Sequence, residues 1–170
     1  MSVRKAIRER RSIRAYKSEN VDDQVLEVVM DAARLAPSAR NRQEWKFVVV
    51  RDPGTKQKLA AASQGKMFVA EAPVVVVACA TEALYVMSCG QAAGTVDTSI
   101  ALSFLVLQAQ EFGLGTCWLG AYNEQLVKEI LGIPSTVRVI AMTPLGYPAE
   151  MPAEKPRKPR EEVVVYERYI

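Results

Sequence analysis

Residues 113–120 read GLGTCWLG, and this stretch decides the fold class. Its first two glycines are spaced as in the dinucleotide-binding fingerprint G-x-G-x-x-G, but Trp118 stands where the third glycine is required. The motif also precedes a strand-like segment, whereas the fingerprint opens a helix. The stretch is therefore not a dinucleotide-binding fingerprint, which supports the α+β layers that four or five strands mixed with helices favour over a doubly wound sheet.

The rest of the chain alternates predicted helices and strands without a regular βαβ rhythm. Apolar periodicity and capping residues predict helices over residues 3–9, 22–35, 53–63, from about 92 or 94 to 112, and 123–131. Strands are predicted over residues 45–51, 74–80, 115–119, 137–145 with an interruption at Pro144, and in the tail at 163–166. At 170 residues the chain fits one domain, residues 1–170.

Composition excludes several classes of protein and chemistry. The apolar runs are too short to cross a bilayer, and no apolar segment follows the N-terminal positive charges, so we expect a cytoplasmic protein without a membrane segment. Three cysteines without CxxC spacing predict reduced thiols and no metal site. Without histidine, Ser-His-Asp and Cys-His catalysis are excluded, so reactivity must come from carboxylates, lysines or a bound cofactor.

Positive charge is concentrated at the two ends of the chain. The net charge is +3, yet the first 17 residues hold seven lysines and arginines against Glu9 alone. A second cluster comprises Lys155, Arg157, Lys158 and Arg160. If the clusters meet in space, they predict an anionic ligand. Nucleic-acid binding is an alternative interpretation, although the chain shows no recognition motif for it.

Three segments carry residue types suited to ligand binding. The turn RRSIR at residues 10–14 offers guanidinium groups and a hydroxyl, which bind phosphate by charge-assisted hydrogen bonds, or it is a solvated helix end. The loop PSARNRQEW at 37–45 offers amide and hydroxyl groups for a polar ring edge, or is an ordinary connection. Glycines flanking the strand at 115–119 let backbone approach a flat ligand, although Gly113 is best explained as a helix cap.

Together with APVVVVACA at 72–80, PLGYPAE at 144–150 and KPRKPREEVV at 155–164, these segments resemble the nitroreductase family in order and spacing over nearly the whole chain. The resemblance implies a three-layer α/β/α sandwich around a mixed, mainly antiparallel sheet of four or five strands. It also implies a homodimer with FMN held between the subunits. The tail, about residues 153–170, is expected to pack on the partner, with 163–166 as an exchanged strand.

The resemblance further assigns cofactor-binding residues. It places the phosphate and part of the flavin ring edge at the arginine turn, with a C-terminal pair completing the phosphate site. A loop reaches the flavin from the other subunit, and backbone lies close to the ring's reactive nitrogen. The residues are Arg10, Arg11, Ser12 and Arg14 in the turn, Lys155 and Arg157 in the pair, Pro37, Ser38, Ala39 and Asn41 in the loop, and Leu119 and Gly120 beside the ring. Gln64 and Lys66 are further candidates, and Ala39 replaces a serine common in the family.

The activity implied by the resemblance is reduction of small acceptors such as nitroaromatics or quinones by NAD(P)H, with FMN carrying the chemistry and no catalytic side chain. Both substrates would use one cleft in turn, which gives ping-pong kinetics. The alternatives are other flavin chemistry, such as reductive dehalogenation or flavin fragmentation, and a non-catalytic flavin-binding protein. The natural substrate and the choice between NADH and NADPH stay open.

Overall fold

The computed structural model describes residues 2–169, so Met1 and Ile170, the ends of the predicted domain and tail, lie outside the described residues. The helices are α1 Val3–Glu9, α2 Asp23–Arg34, α3 Pro53–Ala62, α4 Phe68–Glu71, α5 Ala93–Glu111 and α6 Glu124–Leu131. The strands are β1 Trp45–Val50, β2 Val74–Ala80, β3 Gly115–Thr116 and β4 Arg138–Gly146. Two 3-10 turns lie at Ala39–Asn41 and Arg160–Glu162.

Local capping explains where several helices begin and end. The Asp22 carboxylate accepts hydrogen bonds from the first-turn backbone of α2, Asp52 does the same for α3, and Asn123 for α6. Pro53 occupies the first turn of α3, where its missing N–H costs nothing. Gly132 ends α6 in the left-handed conformation. These helices begin and end within two residues of the predicted positions.

The four strands form one sheet in the order β1-β2-β4-β3, with every neighbouring pair antiparallel. Ser12 adds an isolated parallel bridge to Thr116 at the β3 edge. The predicted mixed, mainly antiparallel sheet is therefore confirmed, with four strands. β2 is buried along its whole length, as its continuous β-branched run predicted.

Helices cover both faces of the sheet. One face of β2 contributes Val74, Val76 and Ala78 to a core shared with α2 and α5. The alternate residues Val75 and Val77 face a second core built with α3, α4 and α6. Because side chains alternate along a strand, β2 belongs to both cores. The predicted α/β/α sandwich is confirmed. Within residues 2–169 no helix is both long and apolar enough to cross a bilayer.

One predicted feature of the strands is wrong, and another is left untested by a single chain. β4 runs through Pro144 to Gly146 without interruption. On the β3 side, Leu145 and Gly146 pair with β3 and Met142 pairs with Leu119, and Pro144, which has no N–H to donate, lies between these contacts. Val163–Tyr166 forms no strand within the described single chain, where a 3-10 turn at Arg160–Glu162 precedes exposed, irregular backbone, and its exchange onto a partner's sheet stays a prediction. A strand requires a paired edge, and no described strand pairs with these residues.

Candidate functional site

The arginine turn, residues 10–14, is fixed along the β3 edge of the sheet. The Ile13 backbone N–H donates to the Thr116 carbonyl at 2.9 Å, and the Ile13 side chain is buried. A Cβ on Gly115 would lie 2.5 Å from Cγ1 of Ile13, closer than carbon atoms can approach. Glycine at 115 is therefore required for the turn to pack on β3. The sequence predicted a strand flanked by glycines, but it did not predict the contact between Gly115 and Ile13.

The segment after β4 lies alongside the same turn. The Lys17 N–H donates to the Tyr147 carbonyl at 2.9 Å, and the Ala149 N–H donates to the Ala15 carbonyl at 2.9 Å. Buried Tyr16 lies between these bonds and donates its hydroxyl to the Ile13 carbonyl at 2.8 Å. Burial raises the pKa of this phenol above its usual range, so the hydroxyl stays a donor. Together, these bonds lead the C-terminal segment to the arginine turn.

The two basic clusters meet at a cavity of about 360 Å³. Its lining includes Arg10, Arg11, Ser12 and Arg14 from the N-terminal side, and Lys155 and Arg157 from the C-terminal side, together with Ile7, Arg8, Pro152, Ala153 and Glu154. Six basic side chains thus surround one space against a single carboxylate. This is the electrostatic setting of a site for a small anion.

The arginines of the cavity are not equivalent. The Arg11 guanidinium donates to the Arg8 carbonyl at 2.7 Å and to the Arg10 carbonyl at 3.1 Å, and it also pairs with Glu154 at 3.3 Å. Within residues 2–169, the Arg14 guanidinium donates a single, long hydrogen bond of 3.4 Å, to the Ser12 carbonyl. Much of the hydrogen-bonding capacity of Arg11 is already used inside the protein, whereas Arg14 keeps most of its donors for a ligand.

Cys117, directly after β3, lies near positive charges from both ends of the chain. Its thiol is buried, and burial raises its pKa, while the positive charges of Arg14, Arg10 and Lys155 act in the opposite direction. Charges from both ends of the chain therefore act on one sulfur atom. With its pKa raised, the thiol stays protonated near neutral pH and is a poor nucleophile.

Leu119 and Gly120 continue from this strand, outside the cavity lining. Leu119 exchanges two backbone hydrogen bonds with Met142, at 2.9 and 3.0 Å, which fixes its position on β4. Gly120 is exposed, and apart from its own chain neighbours no atom of residues 2–169 lies within 4 Å of where its Cβ would be. The backbone at this point is rigidly held on one side and open on the other, as the approach of a flat ligand requires.

The turn carrying Gln64 and Lys66 packs next to this open backbone. The Lys66 ammonium donates to the Gln64 side chain at 2.6 Å and to the Ser63 carbonyl at 3.0 Å, and it lies 3.5 Å from the Ala121 carbonyl. Gln64 adopts a left-handed backbone conformation with φ of 61°. The structure thus brings Gln64 and Lys66 beside Gly120, although they lie more than fifty residues earlier in the sequence.

The loop of residues 37–44 does not line the cationic cavity of its own chain. Arg40, Asn41 and Gln43 all have φ near +55°, a conformation that costs a residue with a side chain roughly 1–2 kcal/mol. Such local strain is found most often at functional sites, where the surroundings hold it in place. Ser38 contributes by accepting the Gln43 N–H at 3.0 Å on its hydroxyl.

Sequence reasoning missed two acidic residues that hold the proposed binding segments. Asp97, buried in α5, accepts the Ala39 N–H at 3.0 Å and so anchors the strained loop. Glu150 accepts the Arg14 N–H at 2.8 Å. No local signal reveals either contact, because the partners are 58 and 136 residues apart. Among residues 2–169, no group of three or more histidine, cysteine or acidic side chains could hold a metal ion.

Comparison with known proteins gives one consistent result. The model of the nitroreductase family matches residues 7–93 and 65–147. The chain is 34% identical to an NADH dehydrogenase of Thermus thermophilus, with 98% of this chain and 96% of the relative covered. It is 32% identical to an FMN reductase [NAD(P)H] of Bacillus subtilis, with coverage of 99% and 74%.

A more distant relative and a solved structure support the same family. The chain is 28% identical to iodotyrosine deiodinase 1 of Mus musculus, with 94% of this chain and 67% of the relative covered. The fold matches the crystal structure of a nitroreductase family protein from Clostridium novyi NT with a TM-score of 0.84 and 35% identity, covering 91% of this chain and 89% of that one. Sequence and backbone thus agree over nearly the full length.

Proposed function

This chain belongs to the nitroreductase family, and we propose that it is an FMN-dependent oxidoreductase that uses NAD(P)H to reduce nitroaromatics, quinones or similar small acceptors. One observation carries the proposal: basic side chains from opposite ends of the chain line a single cavity. A phosphate monoester is an anion of the right size and charge for such a space. The FMN reductase and nitroreductase names of the relatives support FMN as its source.

The residues present fit the phosphate of FMN. We assign Arg10, Ser12, Arg14, Lys155 and Arg157 as phosphate or ring-edge ligands, because each lines the cavity. Arg11 is assigned a shared role, since its guanidinium also holds neighbouring carbonyls and Glu154. Guanidinium groups present two parallel donors to phosphate oxygens, which gives both affinity and orientation.

The flavin ring is proposed to lie along the open backbone at Leu119 and Gly120. The free space above Gly120 allows the flavin ring to approach the backbone closely, and the hydrogen bonds between Leu119 and Met142 hold that backbone in place. Gln64 and Lys66 are neighbours of this surface through Ala121. We propose that they contact the ring side of the cofactor rather than its phosphate.

When bound, FMN supplies the hydride-transfer chemistry between NAD(P)H and the acceptor. The contribution of the chain is to bind, orient and stabilise charge. The Arg14 guanidinium is the candidate to stabilise negative charge on the reduced ring, because few of its donors are used within the protein. We expect ping-pong kinetics, since both substrates would occupy one cleft in turn.

A second copy of the chain would complete the site. The loop containing Pro37, Ser38, Ala39 and Asn41 does not line the cavity of its own chain, and we propose that it reaches the flavin of the partner subunit. All of the described tail residues 153–169 are exposed in a single chain, which supports packing against a partner. The homodimer and the cytoplasmic location remain predictions.

The absorption spectrum of the purified protein tests the proposal. We expect a yellow protein whose flavin bands bleach when NADH or NADPH is added anaerobically and return on addition of a quinone. A colourless protein that also fails to bind added FMN would overturn the assignment. Bound flavin that neither nucleotide bleaches would instead identify a non-catalytic flavin-binding protein.

Reductive dehalogenation is the second candidate, because the chain is similar to a mammalian iodotyrosine deiodinase. A parallel turnover screen with nitroaromatic, quinone and halogenated aromatic substrates separates the two activities. Release of halide faster than reduction of the other acceptors would favour dehalogenation.

A further inference from the structure

The arginine turn and the segment after β4 are joined in register by backbone bonds that end at Ala149. Its N–H donates to Ala15, and the preceding bond joins Lys17 to Tyr147. At the next residue, Glu150, a side chain takes over the contact between the two segments. The Glu150 carboxylate accepts the backbone N–H of Arg14 at 2.8 Å.

A carboxylate at this point has the wrong sign for a site that attracts anions. Like charges repel, so the charge of Glu150 weakens the binding of a nearby phosphate. Glu150 does not itself line the cavity, and its side chain is directed to a backbone amide rather than to a guanidinium. A glutamate next to this basic site is explained if its hydrogen bond to the Arg14 amide favours anion binding more than its negative charge disfavours it.

The hydrogen bond from the Arg14 N–H to Glu150 links the two walls of the cavity. Arg14, whose amide it holds, lines the N-terminal wall. The C-terminal wall begins at Pro152, two residues after Glu150, and continues to Arg157. A contact at residue 150 therefore sets both the direction of the Arg14 backbone and the point from which the chain carries Lys155 toward the cavity.

We propose that Glu150 is a positioning residue of the phosphate site, which aligns the basic side chains of the two walls by accepting the Arg14 N–H. The inference rests on the proposed function, because the ligand is the phosphate of FMN. The hydrogen bond, not the negative charge, performs this role. Glu150 touches neither the phosphate nor the ring.

The neighbouring Glu154 differs from Glu150 in the contact it makes. It pairs with the guanidinium group of the Arg11 side chain at 3.3 Å, and its own side chain is 73% exposed. Exposed ion pairs of this type contribute little to stability or alignment. A bond to a backbone amide restrains the main chain itself, which is why Glu150 and not Glu154 is assigned the positioning role.

The test compares Glu150→Ala, Glu150→Gln and the control Glu129→Gln, an exposed carboxylate on α6. Each protein is titrated with FMN and with riboflavin, which lacks the phosphate. We expect Glu150→Ala to weaken FMN binding about tenfold, the effect of losing one hydrogen bond to a charged group, and riboflavin binding much less. Glu150→Gln should bind FMN at least as tightly as the wild type, because its amide oxygen accepts the same N–H. The control should match the wild type.

Several outcomes would overturn the proposal. These are unchanged FMN affinity in Glu150→Ala, an equal loss for FMN and riboflavin, and a Glu150→Gln variant as weak as Glu150→Ala. Trypsin cleavage after Arg157 gives a readout that needs no flavin, and it should be faster in Glu150→Ala than in the wild type. If the wild type binds no flavin, the proposed function fails, and unchanged trypsin cleavage would then reject the role of Glu150 as well.

Discussion

Arg10 and Arg157 come from opposite ends of the chain and line the same cavity. We predict that Arg10→Ala or Arg157→Ala weakens FMN binding about tenfold or more, since losing a charge-assisted hydrogen bond costs ~1.5–3 kcal/mol. FMN titration measures the effect. Arg34→Ala is the control, because Arg34 is exposed on α2 and pairs with Asp31. Unchanged affinity in both cavity variants would show that the phosphate lies elsewhere.

Replacing either of two glycines near the site by alanine should have different effects on stability and FMN binding. At Gly115 a Cβ would lie 2.5 Å from Cγ1 and 2.9 Å from Cβ of Ile13, so we predict that Gly115→Ala destabilises the fold by about 1–3 kcal/mol. At Gly120 the space is open, so Gly120→Ala should unfold like the wild type but bind FMN less tightly. Denaturant unfolding and FMN titration of both variants measure this contrast. Equal stability of the two variants would contradict the packing argument.

The strained loop of residues 37–44 depends on an element distant in sequence. Asp97→Ala leaves the Ala39 amide without its partner, so we predict a loss of about 1–3 kcal/mol in unfolding free energy together with weaker FMN binding. Asp97→Asn keeps an acceptor oxygen and should retain most of both properties. Thermal unfolding and flavin titration provide the measurements. Full FMN affinity in Asp97→Ala would show that the loop does not contribute to the flavin site.

The C-terminal tail is one element with two proposed roles. It carries Lys155 and Arg157 into the cavity, and beyond them Val163–Tyr166 are exposed apolar residues in the single chain. We predict that truncation after Pro152 weakens the dimer and FMN binding together. Dimer dissociation and flavin loss are measured on the truncated chain. An intact dimer with unchanged flavin affinity would leave the tail without either role.

At the scale of the whole molecule, we predict a homodimer with or without substrate. Most of the apolar circumference of α5 is buried within its own chain, so α5 alone does not require a partner. The support comes instead from apolar side chains left exposed on one helical layer: Val3 and Ile7 of α1, Val28 of α2, Leu35 at its end, and Phe104 of α5. Val3 and Phe104 line one surface cavity, and large contiguous apolar surfaces are rare on soluble monomers.

Sedimentation at low micromolar concentration tests this prediction. The expected particle has twice the chain mass of 18.8 kDa. Replacing Phe104 by a charged residue should shift the particle toward the monomer, while the same change at Leu84, in the loop after β2, should not. A wild-type particle of single-chain mass would argue against the shared flavin site.

The sequence by itself determined the elements whose signals are local. Asp22, Asp52 and Asn123 mark helix starts because a capping side chain binds amides two or three residues away. Strands and helices without a βαβ rhythm indicated the fold class, supported by Trp118 in the place of the fingerprint's third glycine, and the six segments in register indicated the family. Charge at both chain ends predicted an anion, because charge is a property of residue type.

Only the tertiary structure decided how these parts meet. Whether the two basic clusters share a cavity depends on the path of some 140 residues between them, and no local pattern encodes that path. For the same reason, the sequence could not predict the contacts of Glu150 with Arg14 and of Asp97 with Ala39. β4 passes through Pro144, and Val163–Tyr166 is unpaired in the single chain, because strand formation depends on a neighbouring edge, which propensity along the chain does not describe.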